Sequence, residues 1–373
     1  MTNKLSENND LFLGKLSDDK KFAVEKLAQG EILEEKDWLI LLDSPWSHDE
    51  TEELYAIARK FREKNYQKKV YIRGLLEFTN ICRNDCYYCG LRKSNGNVNR
   101  FRLTKEEILS SASKAYNLGF RTFVMQGGED PFYRPEDIAD IVYQLKSKYD
   151  DCAVTLSFGE HPKESYKMWK NAGANRYLLR HESVDPNCYD KIHPKEMLLA
   201  NRMRCLNDLR DLGYQTGAGF MVGPPYQTMK TIAKDLSFIQ EFKPEMVGIG
   251  PFIPHKDTPF GKYKAGSTEL TLRLYSLVRI MQPGVLLPAT TALSTLDKNG
   301  QVLGMNAGCN VVMPNISPAH AKKNYMLYNG KAITGDDDGA KLTHLKTTMK
   351  DAGYIVCVDR GDHVTFSNEN SNL

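Results

Sequence analysis

The sequence predicts an α/β chain closed into a TIM-type (β/α)8 barrel, with an N-terminal helical extension before it and a C-terminal closing segment after it. Three observations carry that expectation. From about residue 70, short β-branched or apolar runs alternate with amphipathic stretches that open on helix-start signals. Eight such runs recur at spacings of roughly 25 to 40 residues, as a closed parallel barrel requires. The turn after the first run carries cysteines, where an open doubly wound sheet would more often carry a glycine-rich nucleotide loop.

The first strand is expected over Tyr71 to Asn80, followed by the cysteine loop and a helix opening at Thr104-Lys105-Glu106-Glu107, with Thr as cap and acids in the first turn. Thr122 to Gln126 gives the second strand, and a helix starts near Pro135-Glu136-Asp137. Ala153 to Ser157 is the third, before a helix opening around Pro162-Lys163-Glu164. Arg176 to Arg180, Tyr214 to Val222, Met246 to Gly250, Leu286 to Thr290 and Asn310 to Pro314 supply the other five. Polar residues gather just after these runs, and in a parallel barrel all such points share the rim on which active sites are assembled.

Residues 1–69 are expected to form a helical layer across the barrel's other end, with apolar faces at Phe22 to Leu27 and Trp38 to Leu42. The barrel is assigned to 70–315 and a C-terminal extension to 316–373. The extension should hold a helix from about Asp337 to Asp351, an apolar run at Tyr354 to Val358 and a frayed polar end, Ser367 to Leu373.

Composition excludes several classes of function. Fifty basic and 47 acidic residues leave a formal charge of +3 with no long run of one sign, so neither nucleic acid nor a membrane surface is called for. No segment approaches the roughly 18 apolar residues that span a bilayer. Met1 to Asp10 lacks the apolar core of a signal peptide, and eight Cys in 373 residues do not suit a disulfide scaffold. A cytoplasmic protein with reduced thiols is expected.

Cys82, Cys86 and Cys89 form a Cx3Cx2C triplet. Three thiolates in one loop can hold three corners of an iron–sulfur cube, leaving the fourth iron open to a small molecule. The rival is structural zinc, which needs a fourth ligand such as His161 or His181. Tyr88, beside Cys89, can shield the sulfurs or pack on a bound ring, or serve only as a packing tyrosine. Gln126-Gly127-Gly128-Glu129 after the second strand offers bare backbone and polar side chains on the same rim.

The triplet resembles that of the radical S-adenosylmethionine (SAM) superfamily. Within it the chain is similar to the HydE family of FeFe-hydrogenase maturases, from about Tyr71 to about Lys331. The matching stretches include Gly74 to Cys82, Tyr88 to Arg92, Gln126 to Pro131, Arg176 to Glu182, Gly217 to Gly223, Val247 to Pro254, Pro288 to Thr291 and Val312 to Asn315.

The resemblance implies one 4Fe-4S cluster on Cys82, Cys86 and Cys89 and a SAM molecule on its open iron, cleaved by one electron from an external donor to a 5'-deoxyadenosyl radical. It places Tyr88, Gln126, Gly127, Gly128, Glu129, Arg180, Glu182 and Arg202 near SAM. Arg176, Thr290, Thr291, Met313, Tyr325 and Tyr328 would line an inner substrate cavity. It further implies a role in building the dithiolate bridge of the hydrogenase's two-iron subcluster. The substrate would be a small molecule, an iron–cysteine carbonyl cyanide complex delivered by HydG, with later hand-over through HydF.

Many HydE sequences carry a second cluster on three further C-terminal cysteines with a closing CxxC. This chain has only Cys309 and Cys357 beyond residue 300, so one cluster is expected, with Cys152, Cys188, Cys205, Cys309 and Cys357 as ordinary thiols. The alternative enzyme is methylornithine synthase of the pyrrolysine pathway, which shares the Gly-Glu-Asp-Pro turn and the cluster loop. Arg180-His181-Glu182 and Pro288-Ala289-Thr290-Thr291 favour HydE. Biotin synthase fits less well, because its second cluster needs extra barrel cysteines. A zinc-stabilised barrel that only scaffolds assembly is the reading from a different class.

Overall fold

Eight parallel staves close into a barrel, although only six of them pair as regular strands. The structure, a computed structural model, describes residues 13–331 and 337–367. The readings made for Met1 to Asp10 and for the end beyond Ser367 fall outside those residues. Strand β1 spans Lys69–Ile72, β2 Gly74–Thr79, β3 Thr122–Gly127, β4 Ala153–Ser157, β5 Arg176–Leu178 and β6 Gln215–Ala218. Then come β7 Met221–Val222, β8 Met246–Val247, β9 Gly250–Pro251, β10 Val311–Val312 and β11 Ile355–Cys357. Strands β2, β3, β4, β5, β6 and β8 lie side by side in that order, all parallel, in registers such as Leu76 with Met125 and Leu156 with Tyr177. Single parallel bridges complete the ring: Met246 to Leu286, Pro288 to Val311, and Asn315 back to Leu75.

The near-continuous apolar runs of these strands follow from burial on both faces, since side chains alternate between the barrel interior and the surrounding helices. Every residue of β2 is buried. The expected first strand is nevertheless two. The chain breaks at Arg73, and β1 leaves the barrel to pair in parallel with β10 on one side and β11 on the other. The expected fifth and sixth strands are also interrupted. Their second halves, β7 and β9, pair only with each other, outside the six-stranded sheet.

Helices open where the sequence signals them. Helix α1 spans Asp18–Ala28, α2 Glu35–Asp43, α3 His48–Tyr66 and α4 Lys105–Asn117. Thr104 caps α4, accepting from Glu107 N at 3.2 Å while the Glu107 carboxylate accepts from Thr104 N at 2.8 Å. Helix α5 begins at Pro135, running Pro135–Lys148, and α6 follows Pro162 as Lys163–Asn171. Around the ring come α7 Pro186–Ile192, α8 Leu199–Asp211, α9 Met229–Phe242, α10 Thr268–Met281, α11 Thr291–Leu296 and α12 Gly300–Asn306. The short α13, Ala319–Asn324, precedes α14, Asp338–Asp351.

The N-terminal helices lie elsewhere than expected. Their main packing is on the barrel's flank, α1 and α3 against α10 and α2 against α9, with Trp38, Leu41 and Leu54 wholly buried. The segment just after β11 closes the barrel's other end instead. There Asp362 and the Arg360 carbonyl meet Arg176, while Gln215 donates to Asp362 at 2.7 Å and Thr122 donates to Arg360 O at 2.8 Å. Thr122, Arg176 and Gln215 are the first residues of β3, β5 and β6, so this cluster marks the floor and leaves the strand C-terminal ends as the rim. Among the described residues no helix is long and apolar enough to cross a membrane.

Candidate active site

A cavity of about 350 Å³ opens at that rim. Its cysteine wall is the loop after β2. Cys82, Cys86 and Cys89 all face the cavity with free thiols, and burial pushes each of them up, Cys89 to about 12. Mutual proximity adds to the rise at Cys86 and Cys89. Such thiols stay protonated until a metal displaces the proton.

Backbone packing fixes the loop. Asp85 takes a bidentate pair from Arg92 and two bonds from Ser94, which hold its carboxyl well below the usual range. Two glycines permit approaches that any side chain would block: a Cβ on Gly128 would lie 2.2 Å from Ile81 O, and one on Gly90 would lie 2.2 Å from Met326 O. Among the described residues, no three His, Cys, Asp or Glu side chains converge closely enough to hold one metal ion. The separated corners of a cluster suit the cysteine trio better than a zinc tetrahedron does. His161 and His181, the fourth ligands a zinc site would need, are absent from the cavity wall: His161 bonds Phe158 O at 3.2 Å, and His181 is buried beside Asp235.

Opposite the cysteines, the end of β5 turns inward. Glu182 adopts φ 63°, a left-handed conformation that costs a non-glycine residue of order 1–3 kcal/mol. Glu182 N donates to Gly219 O at 3.1 Å, and Gly219 N donates to His181 Nδ1 at 3.2 Å, so β6 and a buried histidine hold the strained turn. Arg180 pairs with Glu182 Oε1 at 2.8 Å, and the second carboxylate oxygen, Oε2, is buried without a partner. A buried carboxylate oxygen left open beside a cavity awaits a donor from a ligand.

The remaining wall comes from five places. Arg202 on α8 bonds Glu160 and the Arg180 carbonyl, both at 2.5 Å, which ties α8 to the β5 turn. Glu129 accepts from Arg83 Nε and Glu160 N at 2.9 Å each, joining the cysteine loop to the end of β4, and burial raises its pKa. Tyr88 bonds His193 Nε2 at 3.2 Å. His193 Nδ1 lies 3.1 Å from Tyr189 O, an acceptor only, so Nδ1 carries the proton and Nε2 accepts from the tyrosine. Thr290 caps α11, and Gln126 donates to Tyr325 at 3.3 Å.

One cavity thus brings together Cys82, Cys86, Cys89, Tyr88, Gln126, Gly127, Gly128, Glu129, Arg180, Glu182, Arg202, Thr290, Thr291, Met313, Tyr325 and Tyr328. Arg176 does not belong to it. As the first residue of β5 it stands at the floor end of the strand, whereas Arg180 comes two residues after the strand's last residue, Leu178. The expectation that it lines the inner cavity is corrected: its guanidinium is committed to Asp362, Thr122 and the Arg360 carbonyl in the floor. Glu77 and Lys331 line the cavity although sequence reasoning passed over both, since a Glu within an apolar strand and a Lys in a loop carry no motif.

Known proteins are similar to this chain in sequence and in fold. The family model described as the radical SAM superfamily matches residues 76–239. The FeFe hydrogenase maturase subunit HydE of Thermotoga maritima is 44% identical over 319 residues, covering 85% of this chain and 90% of that protein. The 3-methylornithine synthase of Methanosarcina acetivorans is 29% identical, covering 81% and 85%. A crystal structure of methylornithine synthase superposes with a TM-score of 0.78 at 24% identity, covering 94% of this chain and all of that one, a likeness of fold.

Proposed function

The chain belongs to the radical SAM superfamily and, within it, to the HydE family, and on that premise we propose that it builds the dithiolate bridge of an FeFe-hydrogenase two-iron subcluster. A 4Fe-4S cluster and SAM are the family's cofactors, and together they supply a 5'-deoxyadenosyl radical. The chain's own residues do the rest. Cys82, Cys86 and Cys89 hold three irons. Glu182, with Arg180 beside it, accepts donors from the SAM amino or ribose groups, while Gln126 to Glu129 and Arg202 complete that side.

Thr290, Thr291, Met313, Tyr325 and Tyr328 enclose the space beyond SAM. Tyr325 is 1% exposed, and burial raises the hydroxyls of both tyrosines, Tyr328 to about 12, so they stay neutral and donate rather than titrate. The substrate on this reading is an iron–cysteine carbonyl cyanide complex supplied by HydG, with HydF as the receiving partner. The observation that carries the reading is Glu182: a strained, buried carboxylate with one open oxygen, in the same cavity as the three thiols.

The test is maturation itself. Purified chain, reconstituted anaerobically with iron and sulfide, is added with HydG and HydF to a hydrogenase that lacks its two-iron subcluster. Hydrogenase activity is expected. Stoichiometric zinc with no SAM cleavage would sink the enzymatic reading altogether. SAM cleavage coupled to methylornithine formation from lysine would replace HydE with the synthase, which shares the fold.

A further inference from the structure

The turn that presents Glu182 to the cavity is held from behind by two residues outside the cavity wall, His181 and Asp235. Ser183 N donates to His181 O at 2.8 Å across Glu182, whose φ of 63° makes this the positive-φ form of the γ-turn, which is rare and strained. Its own strand does not secure it, because β5 ends at Leu178. The backbone N–H groups around it bond elsewhere. Glu182 N donates to Gly219 O at 3.1 Å, just after β6, and Val184 N donates to Asp235 Oδ1 at 2.7 Å, on α9.

His181 joins these two supports. Its Nδ1 accepts from Gly219 N at 3.2 Å, so the proton of the neutral ring lies on Nε2, which faces Asp235 Oδ1 at 3.5 Å. Both side chains are wholly buried, and Phe220 and Phe238 pack on the imidazole with ring centroids 5.7 and 4.8 Å away. Asp235 offers Nε2 an acceptor and thereby selects the tautomer that leaves Nδ1 free to accept. In the other tautomer an Nδ1–H would meet the Gly219 N–H, donor against donor, and the support behind Glu182 would open.

A buried His–Asp contact is ordinarily a satisfied piece of core. Here the acceptors of both residues are committed to backbone N–H groups that fix one strained residue, and that residue carries the open carboxylate oxygen of the site. We propose that His181 and Asp235 are positioning residues for SAM: they set the aim of the Glu182 carboxylate, so that SAM affinity depends on two side chains that do not touch it. The proposal rests on the reading of the cavity as a SAM site, and it adds α9 and β6 to the elements that make that site.

The test measures the SAM Kd of the reconstituted holoenzyme by equilibrium dialysis, and amide hydrogen exchange at Glu182, Val184 and Gly219 in the apo-protein. His181→Phe and Asp235→Ala are each expected to raise the Kd about fivefold or more, the effect of about one lost hydrogen bond, and to speed exchange at those amides. Iron content and the maximal rate of dithionite-driven SAM cleavage should stay within about twofold of wild type, with the loss confined to KM. His181→Asn, whose side-chain oxygen can accept where Nδ1 does, should bring the Kd back to within about twofold of wild type. In a Glu182→Ala background neither variant should weaken SAM binding further, since no carboxylate is left to aim. Leu54→Ala, a buried truncation on α3 at the barrel's flank, is the control that lowers stability without touching the turn. Wild-type affinity in both His181→Phe and Asp235→Ala, an equal loss in Leu54→Ala, or a further loss on top of Glu182→Ala overturns the proposal alone. A wild-type protein that carries its cluster yet binds no SAM overturns it together with the reading of the cavity.

Discussion

Lys331 ends on the carboxylate of Glu77, and both side chains are buried in the cavity wall. Asn315 donates to the other Glu77 oxygen at 2.8 Å, and Lys331 also donates to Tyr325 O at 2.8 Å, so the pair pins the segment that carries Tyr325 and Tyr328 to β2, the strand that leads into the cysteine loop. Removing one partner strands a charge. Glu77→Leu is expected to cost about 3–5 kcal/mol in urea unfolding of the apo-protein, and Glu77→Leu/Lys331→Met to recover most of it. A double variant as unstable as the single one would show that the contact serves packing rather than charge.

The five remaining cysteines should be dispensable for iron. Cys309 is wholly buried, and burial pushes its thiol far above the usual range. Cys357 sits on β11, remote from the cavity wall. Replacing Cys82, Cys86 or Cys89 by Ala should abolish the cluster's visible absorption and its iron. The Cys309→Ala/Cys357→Ala variant should keep wild-type iron content, and loss of iron there would expose a hidden ligand.

Glu182→Gln keeps the shape of the side chain but removes its charge and makes part of it a donor. SAM affinity of the reconstituted protein should fall about tenfold, roughly 1.4 kcal/mol, by equilibrium binding. Unchanged affinity would remove Glu182 from the site.

Much of this arrangement was legible because barrel, cap and ligand signals are local. The Thr104 and Glu107 capping box, Pro135 at its helix start and the cysteine spacing each appear in a few adjacent residues. What failed to show depends on contacts distant in sequence. Arg176 opens the strand and Arg180 comes just after it, and nothing local tells floor from rim; only Asp362, 186 residues later, decides it. The break at Arg73 likewise depends on β11 arriving to pair with β1. Glu77 and Lys331, 254 residues apart, identify each other only in space.

Acid should weaken the fold through His193. Burial, aided by the Arg202 charge, pulls its pKa down to about 3, against about 6.5 in an unfolded chain. Between those values the unfolded state binds a proton that the native state refuses, so stability falls as pH drops, by about 1.4 kcal/mol per pH unit for this group. Above about pH 6.5 the effect vanishes. His193→Gln, which can still accept from Tyr88, should flatten the slope of urea-unfolding free energy between pH 6 and pH 4 by about that amount. An unchanged slope would mean that His193 is protonated in the native state.

Asp362 is the counter-charge in the floor. Burial tends to raise its carboxyl, but Arg176 and Arg360 outweigh that and hold it below the ordinary carboxylate range. A depressed native pKa contributes stability above the unfolded value near 4, and that contribution is lost as pH falls through the native value. Asp362→Leu removes it at every pH and leaves Arg176, wholly buried, without its partner, a loss of about 3–5 kcal/mol in urea unfolding. Arg176→Met/Asp362→Leu should regain most of that stability, because an apolar pair of similar volume needs no counter-charge. The same double variant separates floor from cavity. With Arg176 at the floor end of β5 and Arg180 beyond its rim end, SAM affinity should stay within about twofold of wild type, and a larger loss would return Arg176 to the lining of the site.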